Sequence, residues 1–220
     1  MWWKLILFPL MLITIFAIFY FPAPQSQLGD ISRIIYFHVP VAWVAVFAFL
    51  VSMVNSIGYL RKRNLLYDTQ AVISARLGLV FCLLATISGA IFAIAAWGSF
   101  WNWDPRETTI FVLLLIYGAY FALRSAATPE HRKASLSGVY SVIAFLTVPF
   151  LIFVIPRVYE SLHPNTSIIN QKLKFQMPLE ILILFILCLV NMMLVFLWMY
   201  NLEIRVSKLN ELKRKGEDAG

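Results

Sequence analysis

The residues best suited to chemistry in this 220-residue chain lie in one short run and at two isolated histidines. The run is Trp97-Gly98-Ser99-Phe100-Trp101-Asn102-Trp103-Asp104-Pro105-Arg106-Glu107-Thr108-Thr109, and the histidines are His38 and His163. Three of the seven tryptophans fall inside that run. Indole is enriched at membrane–water boundaries, so an aromatic belt is one reading. A belt, however, needs no glycine, no Asp-Pro helix start and no charged triplet within the same dozen residues. The other reading is a flat apolar platform. Gly98 would let backbone approach closely, and the faces of Trp97, Trp101 and Trp103 would cover a planar hydrophobic ligand. Neutral imidazoles bind metals, and two from separate helices can hold a haem iron from opposite sides. The same pair also suits a proton path, and spacing does not choose between the two. Zinc usually takes three or four ligands, so two histidines fall short. Cys82 and Cys188 sit far apart in apolar runs, without CxxC or CxxCH spacing. That argues against a disulfide framework, a zinc site or covalent haem attachment to this chain.

Such residues act together only if the elements that carry them bring them to one end of the fold. The chain is 61% hydrophobic and 13% charged, with a mean hydropathy of +0.80. Soluble domains carry about 25% charged and about 45–50% apolar residues. This composition excludes an ordinary water-soluble domain and disfavours disorder, collagen-like repeats and nucleic-acid modules. It predicts an all-α integral membrane protein, one six-span domain over residues 1–220. The spans run approximately over 5–21, 39–60, 77–96, 105–123, 134–155 and 181–202, with a tail over 203–220. The runs are too long, and alternate too little, for membrane strands. The fourth is short until its start signal is included. Asp104 reads as N-cap, Pro105 as N1 and Glu107 as N3 of a capping box. A helix from Pro105 to Leu123 is then about 28 Å long at ~1.5 Å per residue, enough to span. The first span reads as an uncleaved anchor, because Phe21-Pro22-Ala23-Pro24 lacks small-x-small cleavage chemistry.

The net charge of +7 is a topology signal rather than a nucleic-acid surface. One side collects Lys4, Arg61, Lys62, Arg63, Arg76, Arg124, Arg132, Lys133, Arg205, Lys208, Lys213, Arg214 and Lys215. The other holds only Arg33, Arg106, Arg157, Lys172 and Lys174. The positive-inside rule therefore places both termini in the cytoplasm and the loops after spans one, three and five outside. In the first outer loop, Asp30 is placed as an N-cap for a short interfacial helix that delivers His38-Val39-Pro40 to the mouth of span two. In the third, Pro149 and Pro156 bend the exit of span five shortly before His163. His131 reads as a solvated residue of an inner loop. The tail reads as a helix that leaves the membrane and frays at Gly216.

These residues resemble a known family. Trp97-Gly-x-x-Trp101-x-Trp103-Asp104 is similar to the tryptophan-rich signature of the haem-handling proteins of cytochrome c biogenesis. Phe37-His38-Val39-Pro40-Val41-Ala42-Trp43 matches the His-Val-Pro segment of the CcmC type at the start of span two, and Leu162-His163 matches its second histidine. The resemblance covers essentially the whole chain. It implies a haem b site with His38 and His163 as axial ligands and Trp97–Asp104 as the platform. It also implies a bacterial cytoplasmic (inner) membrane location with haem on the outer, periplasmic side. The implied partners are a CcmE-type haem chaperone, to which haem is passed, and the ABC-transporter subunits of the maturation system. A propionate at that site needs a cation, for which Arg106 is the first candidate, followed by Arg157 and Arg33. Arg106 has a competing use in pairing with Glu107 or lipid phosphate, and Asp104 one as a helix cap. The sequence departs from the pattern at Asp104-Pro105-Arg106-Glu107-Thr108, which looks closer to the ending typical of CcsA-type cytochrome c synthases. With no nucleophile or acid–base pair in view, the expectation is transport rather than enzymatic bond chemistry. The rival readings are a synthase joining haem to apocytochrome and a permease for a hydrophobic substrate.

Overall fold

In the computed structural model, residues 3–24, 28–163 and 178–217 are described, and all regular structure among them is helical. The helices are α1 (Trp3–Tyr20), α2 (Ile35–Lys62), α3 (Leu65–Trp97), α4 (Pro105–Ala126), α5 (Glu130–Pro149), a short α6 (Ile155–Val158) and α7 (Leu179–Glu217). Five helical stretches are long and apolar enough to cross a membrane, and α1 adds a shorter apolar helix. Lys172 and Lys174 lie outside the described residues.

The long central helix α2 packs against α3, α5 and α7, and α1 leans on α7. A tight connection joins α2 to α3: Arg63 adopts a left-handed conformation and its N–H bonds back to Tyr59 O, while the Asn64 side chain caps α3 by accepting from Leu66 N–H. Gly78 makes the close approach of α2 and α3 possible, since a Cβ there would meet the Phe49 ring at 2.6 Å. The core beneath is aromatic. Phe49 and Tyr117 stack with centroids 3.5 Å apart, and Phe47 and Phe81 meet Phe196 edge-on. Asn191 of α7 donates to Thr14 Oγ1 of α1 at 2.6 Å, giving the outer pair of helices a polar tie.

Contacts sort the chain into two ends, as the cation distribution predicts. At one end Arg124 grips Asp68 with two bonds, Arg76 pairs with Glu203, Arg63 donates to Ser135, and Lys4 lies over Trp198. His131 is at this end too. It is exposed but stands in the first turn of α5 rather than in a loop, with its ring and carbonyl on Tyr59 Oη.

Several local expectations need correction. The segment before His38 is not a separate interfacial helix, because a 3-10 turn, Gly29–Ile34, runs into α2 without a break in αR geometry. Asp30 does not cap it. Its carboxylate pairs with Arg33 at 2.8 Å, and Arg33 also donates to the carbonyls of Ile18 and Phe21, closing the end of α1. The exit of span five does bend: Phe150–Val154 forms a π-helical turn between Pro149 and Pro156, with Ile155 N–H bonded to Phe150 O. The helix α7 continues through Gly216 to Glu217 rather than fraying there. Two i,i+4 pairs, Lys215–Glu211 and Lys213–Glu217, support its last turns.

Candidate functional site

At the end opposite the Arg124–Asp68 pair, α2, α3, α4, the π turn and α7 enclose a cavity of about 470 Å³, within the range of small-molecule sites. His38, Trp97, Trp101, Arg106, Glu107 and His163 line its polar end. Ala42, Ala45, Val46, Ala85, Gly89, Leu113 and Met193 continue it as an apolar slot between the helices.

His38 stands in the first turn of α2. Its Nδ1 lies 3.0 Å from Ser88 Oγ on α3. The ring rests so close to the α3 backbone that a Cβ on Gly89 would come within 2.9 Å of its Cε1. The pair Ser88-Gly89 therefore makes the seat for this imidazole: one residue bonds it and the other leaves it room.

The tryptophan-rich loop begins where Gly98, at φ +80°, ends α3 in a left-handed C-cap. It ends where Asp104 starts α4 with a complete capping box. Glu107 Oε2 accepts from Asn102 N–H at 2.7 Å and, at 3.4 Å, from Asp104 N–H. The Asp104 carboxylate does more than cap. Its Oδ1 accepts from Arg106 N–H at 2.9 Å and lies 3.1 Å from His163 Nδ1. Its Oδ2 accepts from Ser161 Oγ at 2.8 Å and Leu162 N–H at 2.7 Å. One buried carboxylate thus fastens Ser161–His163 to the loop between α3 and α4. Burial alone would raise its pKa, but the bonds from Ser161, Arg106 and Leu162 and the nearby His163 hold it below the usual carboxylate value.

His163 is pushed down to about 4, chiefly by burial and then by the Arg106 charge, against the opposing pull of Asp104. At neutral pH its contact with Asp104 is a hydrogen bond from a neutral ring, not an ion pair. Its ring also meets Trp97 edge-on, with centroids 4.7 Å apart.

The structure gathers five of the predicted site residues around one cavity: His38, His163, Trp97, Trp101 and Arg106. Gly98 and Asp104 shape the loop and its ties without lining the cavity. Trp103 stands apart, 73% exposed, with its ring edge-on to Trp101. Of the three candidate cations, Arg33 is committed to the end of α1, and Arg157 to Phe153 of the π turn before α6. Arg106 borders the cavity with its Nε buried and unbonded, and Glu107 Oε1 is likewise buried without a partner. The expected Arg106–Glu107 pairing does not occur among the described residues, since the loop amides occupy Glu107. Ser88, Gly89 and Ser161 are contributions that the sequence reading missed. The one signal for the first two was a small polar-and-glycine step inside an otherwise apolar span.

The residues present fit a haem. Two imidazoles bordering the cavity, an indole-edged apolar slot and a buried, unsatisfied guanidinium nitrogen supply the three kinds of contact a ring, its iron and its propionates require.

Known proteins resemble this chain over much of its length. The family model described as "Heme exporter protein C" (CcmC) matches residues 1–218. The heme exporter protein C of Bradyrhizobium diazoefficiens is 31% identical over 149 residues, 67% of this chain and 56% of that protein. That of Rhodobacter capsulatus is 34% identical over 125 residues, 57% of this chain and 52% of its own length. The cytochrome c biogenesis protein CcsA of Prochlorococcus marinus is 37% identical over 103 residues, 45% of this chain and 33% of that protein. The chain thus spans a little over half the length of the two heme exporter relatives. With a match from end to near end, the chain belongs to the heme exporter protein C (CcmC) family.

Proposed function

We propose that this chain binds haem at the outer face of the bacterial cytoplasmic membrane and passes it to a CcmE-type haem chaperone for c-type cytochrome maturation, working beside the ABC-transporter subunits of that system. One observation carries the reading: two imidazoles from different parts of the chain border one apolar cavity, each with its Nδ1 bonded to a neighbour. That is the arrangement of metal-binding histidines, in which the ring nitrogen away from the metal is held by a second group. When bound, haem b would supply a metal for the two imidazoles and a flat apolar ring for the slot.

The chain's own residues divide the remaining work. Trp97 and Trp101 with the slot behind them exclude water from a hydrophobic face. Arg106 offers a buried positive charge to a carboxylate, which would satisfy its unbonded Nε. His38 of α2 and His163, beyond α6, would hold the metal. On this reading the chain presents haem and does not itself form bonds to it. Haem titrated into detergent-purified protein tests the reading. Wild type is expected to give the Soret band of a six-coordinate bis-histidine haem, and His38→Ala and His163→Ala each to shift the band and weaken binding. Unchanged haem content and Soret position in both variants would sink it. Thioether product formed on apocytochrome without a chaperone would favour the synthase reading suggested by the CcsA likeness.

A further inference from the structure

We propose that Ser88 and Asp104 are positioning residues that keep the ring protons of His38 and His163 on Nδ1, so that both Nε2 lone pairs are free for the cavity, and that they make the two ligands unequal. His163 is the stronger donor, and His38 is the ligand that lets go first. The inference rests on the haem reading above.

The tautomers follow from counting hydrogens. Ser88 Oγ lies 2.8 Å from Leu84 O and 3.1 Å from Ala85 O, and a carbonyl can only accept. With the single hydroxyl hydrogen directed along α3 to Leu84 O, the nearest acceptor, the oxygen presents a lone pair toward His38 Nδ1. In that arrangement the ring supplies the hydrogen, which places it on Nδ1. A neutral imidazole has one N–H, so Nε2 is left as an open donor atom. On the other side, Asp104 is an acceptor on which four donors converge: Arg106 N–H, Ser161 Oγ, Leu162 N–H and His163 Nδ1. Again the proton belongs on Nδ1.

The inequality follows from the acceptors. A carboxylate partner pulls on the Nδ1 proton and raises the donor strength of the opposite nitrogen. Hydrogen bonds to an ionised group are roughly twice as strong as neutral ones. His163 has such a partner, while the acceptors beside His38, the Ser88 hydroxyl and the Ala85 carbonyl, are neutral. The weaker bond to a shared metal is therefore the one from His38, and a competing ligand from an acceptor protein replaces it first.

The first arm of the test needs no haem. In full-length protein labelled with ¹⁵N-histidine and placed in nanodiscs, both rings should report Nδ1–H. Asp104→Asn, which leaves one side-chain acceptor atom for four donors, should mix the His163 tautomers and leave His38 unchanged. Ser88→Ala should do the reverse, and Ser88→Thr, which keeps the hydroxyl, should restore the wild-type signal. An Nε2–H ring in wild type, or tautomers that ignore both variants, overturns the assignment. The second arm uses haemin-loaded protein, reduced and exposed to CO. The wild-type adduct should share its Fe–C and C–O stretches with the His38→Ala adduct, and a match to His163→Ala overturns the ordering. Transfer of haemin to apomyoglobin should be faster for Asp104→Asn, on the order of 10–100-fold. Protein that takes up no haemin yet shows both Nδ1–H tautomers refutes the haem reading and the ordering, while the positioning assignment stands.

Discussion

The pKa of His163 sets the pH range in which its tie to Asp104 holds. An exposed imidazole takes up its proton near 6.5, and this one only near 4. Between those values the unfolded chain binds more protons than the folded one, so the fold loses stability as pH falls through that window. Asp104 stays charged across it, because its own pKa is held below the ordinary carboxylate value. Its contribution is lost only at still lower pH. Metal ligation also requires the neutral ring. Haemin affinity should therefore be flat from about pH 8 to about pH 5 and fall as pH approaches the His163 value of about 4. A Soret titration that loses haemin with a midpoint near the ordinary 6.5 would contradict this. At this scale the histidines, Trp97, Trp101 and Arg106 were legible in the sequence, because their side chains are rare on an apolar background. Ser88 and Ser161 were not. A serine hydroxyl gains meaning only from what approaches it, and His38 lies fifty residues away along the chain.

Among the elements, the N-terminus of α4 carries the most consequence. Its capping box fixes where the helix starts and simultaneously folds the loop before it, because Glu107 accepts from the amides of Asn102 and Asp104. Replacing Glu107 by Ala should cost about 1 kcal/mol, a typical capping contribution. A lower Tm of the detergent-solubilised protein would register it, and a Tm unchanged from wild type would show that the loop holds without the box. This start was readable from Asp104-Pro105-Arg106-Glu107, since capping is a local matter of side chain and backbone. The bend from Pro149 to Pro156 was equally local, although its π form was not specified by the prolines alone. Asp30 misled for a physical reason. It has the right chemistry for a cap, but Arg33 is three residues away on the same face, and the chain runs on into α2.

For the whole molecule, alternation of charge was the informative feature. The basic helix ends meet one another through Arg124–Asp68, Arg76–Glu203 and Arg63–Ser135, and the haem-type residues meet at the other end. Helix pairing was less legible, since apolar spans of similar composition offer no mark of which neighbour each prefers. We expect the basic end to face the cytoplasm. The two native cysteines are buried, so a membrane-impermeant maleimide has little background. Glu160→Cys should react in intact cells and Lys208→Cys only after permeabilisation, and the opposite pattern would invert the orientation.

Trp103 combines a left-handed backbone, φ +56°, with 73% exposure of the residue. Both features run against folding preference: a non-glycine residue there costs on the order of 1 kcal/mol, and an indole left in the open contributes little packing. The position is locally frustrated, and such conflicts gather where a residue serves something other than the fold. Trp103→Gly should therefore leave the protein as stable as before or slightly more so, a testable outcome by thermal melt. Any loss of haem delivery in that variant would then belong to the missing ring and not to a damaged loop.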